Sequence, residues 1–269
     1  KMSPLLEVLS NLTTLESSYN KWIKQVHKDI FTMKKFEEEN NRFFIDVYGL
    51  KDEIKDDVPN EEITLTVNPS YRYGRNLNEE DQKTRFQRDT MVELLSYSTG
   101  CIMGRYSLDH PGLILADSRG SQEAQISYYE GKVGKQISDT KFKPDKDAII
   151  PVLDGEWFED DIVARTLEFL SVTFPESTLA ENLRFLEDSI GKDIRKYFCK
   201  DFYKDHLQTY KKRPIYWMVQ SPKAGFACLI YLHRYTPETL LQVLNDYFRP
   251  YVQKLEARIA LLDLDQLND

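Results

Sequence analysis

The strongest pattern in the sequence lies between Lys211 and Pro237, where it reads KKRPIYWMVQSPKAGFACLIYLHRYTP. Two apolar, aromatic segments flank a Ser-Pro-Lys turn, which is the pattern of a β-hairpin. A basic triplet precedes the first segment, and His-Arg-Tyr follows the second. Cations beside exposed aromatic rings suit nucleic acid, which offers both phosphates and flat bases. A buried hairpin with a solvated positive rim explains the same residues, so both interpretations stay open.

Size and charge narrow the class of protein. The chain has 269 residues, of which 41% are hydrophobic, so it can bury the core of one large domain or two small ones. Its net charge is −8, which argues against nucleic-acid binding by the whole surface. Any such site must be a local basic patch on an acidic body.

The cysteines and the hydropathy give the setting. Cys101, Cys199 and Cys228 have no paired spacing, so neither disulfides nor a zinc site are expected. A reducing, cytoplasmic location is the default for such a chain. No apolar run reaches the roughly 20 residues that a membrane span needs, and no signal peptide is recognisable. The helical patterns at both ends suggest a piece of a longer protein.

Both ends of the chain show helical seams. A long helix is predicted over residues 5–33, where apolar residues recur every seven positions. These residues are Leu5, Val8, Leu12, Leu15, Tyr19, Trp22, Val26 and Met33. The C-terminal seam consists of Leu241, Leu244, Phe248, Tyr251, Leu255, Ile259 and Leu262. Thr236 is its expected N-cap, with Pro237 at the first helical position, and Pro250 should kink or interrupt it. The two seams could pair with each other or pack on other parts of a longer protein.

Weaker patterns fill the middle of the chain. Helices are predicted at 37–48, 79–98, 159–174, 178–190 and 193–210, a short strand at 63–67, and a long, partly mobile loop at 117–147. The predicted fold class is therefore α+β: predominantly helical, with a small antiparallel sheet that includes the 214–233 hairpin, and with long terminal helices.

Asn68-Pro69-Ser70-Tyr71 is similar to the Asn-Pro-Pro-Tyr motif of adenine-N6 methyltransferases. In that motif the polar side chain holds the amine and the aromatic ring stacks on a flipped base. Here Ser70 replaces the second proline, and the chain has no Gly-rich turn for S-adenosylmethionine. The favoured interpretation is a turn that presents Tyr71, Arg72, Tyr73 and Arg75, although a complete enzyme stays as an alternative.

Two other candidate sites are weak. An acidic run could hold a metal, but carboxylates before a helix are more simply partners of its dipole. The run consists of Asp154, Glu156, Glu159, Asp160 and Asp161. Cys199 and His206 lie seven residues apart, which gives no local context for a nucleophile and its base. No catalytic, cofactor or metal residue is expected in this chain.

A basic run is the stronger candidate. Between residues 192 and 213 the chain holds eight lysines and arginines against three aspartates. Lys192, Arg195 or Lys196, Lys200 and Lys204 recur near helical spacing, which predicts a stripe of cations on one helix face. Such a stripe suits contacts with phosphates. A solvated helix face is the alternative. The predicted DNA-binding residues are Arg72, Arg75, Lys192, Arg195, Lys196, Lys200, Lys204, Lys211, Lys212, Arg213, Lys223 and Arg234.

Several segments, in order, resemble the C-terminal half of the PglX family. They include NRFFIDVYGL (41–50), EITLTVNPSYRYG (62–74), GCIMGRYSLDHPGL (100–113), IIPVLDGEWFEDDIV (149–163), GKDIRKYF (191–198) and FYKDH (202–206). RPIYW (213–217) extends the likeness, which covers roughly residues 37–260, and is also similar to type IIG restriction-modification methylases. PglX proteins are adenine-specific DNA methyltransferases of BREX phage-defence systems.

The resemblance implies a specificity segment rather than a catalytic one. It implies an upstream catalytic half that uses S-adenosylmethionine, and double-stranded DNA as a partner. Residues 1–50 are then a helical spacer, 51–235 a target-recognition-like domain with an insertion at 117–147, and 236–269 a C-terminal helix. The alternative is a scaffold that docks the catalytic half or other defence-system proteins.

Overall fold

A 34-residue helix, α1 (Leu15–Tyr48), opens the structure, a computed structural model that describes residues 14–266. Thr14 and Ser17 form a reciprocal capping box at its start, and Gly49, at φ 69°, ends it in the left-handed conformation. The predicted end at Gly49 is confirmed, but the separate helix at 37–48 is wrong because helical backbone continues through Met33 and Lys34. Leu5, Val8 and Leu12 lie outside the described residues.

The first half of α1 packs into the core through Leu15, Tyr19, Trp22 and Val26. The indole of Trp22 stacks on Phe86 with ring centroids 5.3 Å apart, and Asn182 Oδ1 accepts a hydrogen bond from the Leu15 amide at 2.7 Å. This confirms the predicted seam for the described residues. In the described part of the chain the seam faces other helices, and its pairing with the C-terminal seam is not observed.

The remaining helices surround a small sheet. They are α2 (Pro69–Tyr73), α3 (Glu79–Ile102), α4 (Gln122–Val133), α5 (Ile162–Thr173), α6 (Leu179–Ile190), α7 (Ile194–Tyr197), α8 (Tyr203–Thr209), α9 (Thr239–Gln242) and α10 (Arg249–Gln266). Single π-helical turns join α7 to α8 (Phe198–Phe202) and α9 to α10 (Val243–Phe248). None of the helices within residues 14–266 is long and apolar enough to cross a membrane.

The sheet has three antiparallel strands in the order β1, β3, β2. They are β1 (Ile149–Pro151), β2 (Tyr216–Gln220) and β3 (Ala227–Tyr231). Tyr216 pairs with Tyr231 and Gln220 with Ala227, which confirms the predicted hairpin and the α+β class. Because strand residues alternate between faces, Leu229 and Tyr231 join the large helical core, whereas Cys228 and Ile230 join a smaller core under the C-terminal helices.

The C-terminal helices bury only part of the predicted seam, namely Tyr251 and Leu255. The buried residues Val243, Tyr247 and Tyr251 lie four apart. Leu255 is half-buried against them. The predicted seam residues that are exposed are Leu241, Leu244, Phe248, Ile259 and Leu262. A π turn takes more residues per turn than an α-helix, so it changes which residues share a face.

The predicted start of that helix is wrong, and Pro250 does not interrupt it. The helical hydrogen bonding begins at Thr239, with Glu238 in the N-cap position, whereas the Thr236 amide donates to Thr239 Oγ1 at 2.9 Å. Helical backbone continues across Pro250, the second residue of α10. A π turn ends at Phe248, two residues before that proline, and its wider turn eases the clash and the lost bond that a proline causes in a regular α-helix.

Two predictions from the middle of the chain are wrong as well. Residues 63–67 are irregular and end in a turn at 66–67, so they do not form a strand. Helix α4 occupies much of the predicted loop at 117–147. Ser121 caps its start, Gly134 ends it, and Gln125, Tyr129 and Val133 are buried at four-residue spacing. Only three of its residues are buried and one of them is Gln125, so its apolar periodicity is weak.

Candidate nucleic-acid interface

The basic helix consists of α7, its π turn and α8. Asp193 caps its start, since Oδ1 accepts the Lys196 amide at 3.1 Å. The face toward the core carries Ile194, Phe198, Phe202 and His206, all buried and four residues apart. In a straight α-helix each four-residue step rotates a side chain by about 40°. The wider π turn reverses part of this drift, so the four-residue repeat stays on one face.

The same geometry aligns cations on the opposite face. Lys196, Lys200 and Lys204 are exposed and also four residues apart. Among the described residues none of the three forms an ion pair with a carboxylate. They therefore form an open stripe of positive charge.

Lys192 and Arg195 are placed differently. Lys192 forms an ion pair with Asp201. Arg195 forms one with the buried Asp161 and donates to the carbonyls of Leu153 and Gly155, both at 3.1 Å. Both side chains are thus bound by the protein itself. Arg195 anchors the basic helix to the segment before α5.

A basic connection leads from α8 to the hairpin. Lys211, Lys212 and Arg213 are exposed. Lys211 and Lys212 have φ of 49° and 64°, a left-handed conformation that costs roughly 1–2 kcal/mol for each non-glycine residue. Their amides donate to the carbonyls of Gln208 and Leu207. The strained backbone thus ends the helix and directs the chain into β2.

His206 joins the basic helix to the hairpin on the buried side of that helix. Its Nε2 accepts the backbone amides of Ile215 and Tyr216, each at 3.2 Å. Burial, together with the nearby positive charge of Arg105, lowers the pKa of His206 to about 4. The imidazole is therefore neutral at pH 7 and keeps a lone pair for both amides. This fixes the hairpin against the basic helix.

The hairpin itself adds two exposed groups. Lys223 is exposed in the turn between the strands. Trp217 is 50% exposed on β2, although the neighbouring Tyr216 is buried. The alternative of a buried hairpin predicts a structural role for Trp217. Strand alternation alone does not show that β2 lies at the edge of the sheet.

The remaining predicted cations lie elsewhere. Arg234 is 5% exposed, and its guanidinium donates to Gln125 Oε1 and to the carbonyls of Asp145 and Lys146. Arg72 pairs with Glu93 at 3.1 Å and with Asp89 at 3.5 Å. The side chain of Arg75 lies outside the described part. Neither Arg234 nor Arg72 belongs to the open surface around the basic helix.

Asn68 has a structural role. Its Oδ1 accepts the Ser70 amide at 3.1 Å and thereby caps α2. Its Nδ2 donates to the carbonyls of Asn60 and Ile63. Both ends of the Asn68 amide are hydrogen-bonded within the fold. Asn68 therefore does not fit the role of holding a substrate amine for methyl transfer from S-adenosylmethionine. The predicted turn is a short helix on which Tyr71 is 44% exposed.

Asp161, the last residue of the acidic run, also has a structural role. Asp161 Oδ1 accepts the amides of Val163 and Ala164 at the start of α5, and its other oxygen contacts Arg195. Over residues 14–266, no group of three or more His, Cys, Asp or Glu is arranged to hold a metal ion.

Fold and surface together define a predominantly helical α+β protein with a stripe of exposed lysines on one helix and an exposed tryptophan on an edge strand. No family model matches the chain. The chain is 36% identical over 279 residues to the adenine-specific methyltransferase BrxX of Escherichia coli O9:H4 (strain HS). The match covers 98% of this chain and 22% of that protein.

A second relative is the adenine-specific methyltransferase PglX of Lacticaseibacillus casei (strain Zhang). It is 34% identical over 267 residues, which is 95% of this chain and 20% of that protein. These two matches confirm the resemblance to PglX predicted from the motifs. The chain spans about a fifth of the length of the curated relatives it matches.

Proposed function

We propose that this chain is a DNA-recognition segment of an adenine-specific DNA methyltransferase. The observation that carries the proposal is the open stripe of Lys196, Lys200 and Lys204, which leads into the exposed residues 211–213. In a chain of net charge −8, this local concentration of unpaired cations calls for an anionic partner.

The spacing of the stripe suits a phosphate backbone. Four residues of helix rise about 6 Å, so the three lysines span roughly 12 Å along one face. Their flexible side chains can reach several phosphates of one duplex. Lys192, Arg195, Arg72 and Arg234 are excluded from this proposal as direct contacts because protein acceptors already hold them.

The reaction belongs to the longer protein in this proposal. A methyl group would pass from S-adenosylmethionine to adenine N6 in a catalytic domain, upstream of this C-terminal segment. The present chain would hold the DNA. The cap formed by Asn68 supports this division, because the only Asn-Pro motif of the chain is used to start a helix.

A second candidate function, protein docking, is favoured by one observation. The second half of α1 exposes Phe31, Phe36, Phe43 and Tyr48, each at 59–70%. Exposed aromatic residues on one helix can mark a protein contact. In that case the chain would join other subunits, or the catalytic domain, and DNA would not touch the stripe.

Direct binding separates the two candidates. Anisotropy of a labelled duplex, titrated with the 269-residue chain at low salt, should show binding that Lys196→Ala/Lys200→Ala/Lys204→Ala weakens at least tenfold. Phe36→Ala/Phe43→Ala serves as the control and should leave this affinity unchanged. No binding of the duplex, or binding that the triple lysine variant leaves unchanged, would overturn the DNA proposal and favour docking.

A further inference from the structure

One indole, on the strand that follows the basic connection, is half-exposed. Trp217 is 50% exposed, whereas Trp22 stacks on Phe86, and Trp157 meets Tyr251 edge-on with ring centroids 5.3 Å apart. Across residues 14–266, no ring contact, cation or side-chain hydrogen bond engages the Trp217 indole. A large aromatic side chain without a partner is an open contact surface.

The sheet explains why this ring faces outward. Trp217 pairs with Ile230 of β3, and Ile230 is buried in the smaller core. Since β2 is the outer strand, no further strand covers the far side of Trp217. The preceding Tyr216 points to the opposite face and is buried, which fixes the register.

The cations lie on either side of this ring in the chain. Arg213 precedes Trp217 by four residues, and Lys223 lies in the turn at the other end of β2. The backbone of the connection is held by His206, which bonds the amides of Ile215 and Tyr216. The strand thus presents one aromatic ring between two exposed cations of the chain, Arg213 and Lys223.

We infer, on the basis of the proposed DNA function, that Trp217 is the stacking contact of this interface. Its indole packs on a base that lies outside the paired stack, while the lysines hold the phosphates. Every base has a flat π-face, so such a contact recognises an unpaired base without hydrogen bonds to its edge. An enzyme that modifies a base must first take it out of the duplex, so a stacking residue suits this partner.

Two labelled duplexes test the inference. They are identical except that one carries a single unpaired adenine. The chain should bind the bulged duplex about fivefold or more tightly than the paired one. Trp217→Ala should remove this preference, and Trp217→Phe should keep most of it. Lys200→Glu/Lys204→Glu should weaken both duplexes by the same factor and leave their ratio unchanged, because phosphates are common to both.

Fluorescence gives a second readout that does not require an alanine variant. The chain has three tryptophans, and Trp217 is the exposed one. A base stacked on Trp217 should quench the tryptophan emission of the wild type, and the same DNA should not quench that of Trp217→Phe. Phe36→Ala, at another exposed aromatic, should keep the quench. Salt-dependent binding with equal affinity for the two duplexes and unchanged emission would overturn the role of Trp217 but leave the DNA proposal standing. Absence of any DNA binding would overturn both.

Discussion

The imidazole of His206 lies 4.7 Å from the ring of Tyr216, and its Nε2 accepts the amide of the same residue at 3.2 Å. One neutral side chain thus joins the basic helix to the edge strand that carries Trp217. This link fixes the position of the hairpin relative to the basic helix, and it depends on the charge state of the imidazole.

The His206 link should make the fold acid-sensitive. Its pKa falls from 6.5 to about 4 in the folded state, chiefly through burial. Between these values the unfolded chain binds more protons, so this contribution is full above about pH 6.5 and is lost as the pH falls toward 4. Urea unfolding of the wild type should show a loss of about 1–2 kcal/mol between pH 7 and pH 5 from this group.

His206→Phe isolates that contribution. It should cost about 1–3 kcal/mol at pH 7, because two buried amides lose their acceptor. The difference between the two proteins should shrink at pH 5. A constant difference at both pH values would show that His206 does not titrate as described. His206→Gln, which offers an amide oxygen and does not titrate, is the matched control.

Lys211 and Lys212 should lower the stability of the fold through their backbone strain and raise DNA affinity through their charge. Replacing both by glycine removes the left-handed strain, so the free energy of unfolding should stay constant or rise by up to about 1 kcal/mol. DNA affinity should nevertheless fall, because two cations are lost. Ala148→Gly, at another residue with positive φ (60°), is the control and should leave binding unchanged. Urea unfolding and anisotropy measure the two effects, and a stable double variant with wild-type affinity would exclude the pair from the interface.

Arg195 should matter for stability rather than for phosphate contact. Its removal leaves the carboxylate of Asp161 buried and without its cation, at a cost of about 3 kcal/mol. Lys200→Ala, at an exposed position of the same helix, should cost less than about 0.5 kcal/mol. Chemical unfolding of Arg195→Ala and Lys200→Ala compares them. Equal stabilities would mean that Arg195 is not an anchor.

Asp147 should make the opposite pH contribution. Burial, and then the carboxylate of Asp145, raise its pKa to about 7. The folded chain therefore holds a proton that the unfolded chain releases near pH 4, and stability falls as the pH rises from about 4 to 7. Asp147→Asn should stabilise the fold by about 1–2 kcal/mol at pH 8 and gain nothing at pH 4. Thermal unfolding at both pH values measures this, and a loss at pH 8 would contradict it.

Periodicity predicted the helices whose apolar residues lie on one face. Leu15, Tyr19, Trp22 and Val26 follow the heptad spacing of a regular α-helix, and they are buried as expected. The prediction of the buried face was wrong for part of the C-terminal helix, because that helix is apolar on two faces. Leu244 and Phe248 fit the regular spacing, but the π turn at Val243–Phe248 selects Val243 and Tyr247 instead. A π turn has no signature in a single sequence.

The cations of the site were visible in the sequence, but their partners were not. Arg195 meets Asp161, which lies 34 residues away, and Arg234 meets carbonyls 88 and 89 residues away. Such tertiary contacts remove a residue from a predicted surface without changing local composition. The predicted domain boundaries at residues 50 and 235, and the DNA contacts themselves, stay predictions.

The dependence of DNA affinity on salt tests most directly whether the lysine stripe contacts phosphates. Each phosphate contact contributes about 0.9 to the slope of log K against log salt. Lys200→Glu/Lys204→Glu should therefore flatten the slope by about 2 relative to the wild type. Lys21→Glu/Lys24→Glu makes the same change of net charge at exposed positions of α1 and should preserve the wild-type slope. Equal slopes for the two double variants would show that net charge alone acts, and that the stripe on α7 and α8 does not hold DNA.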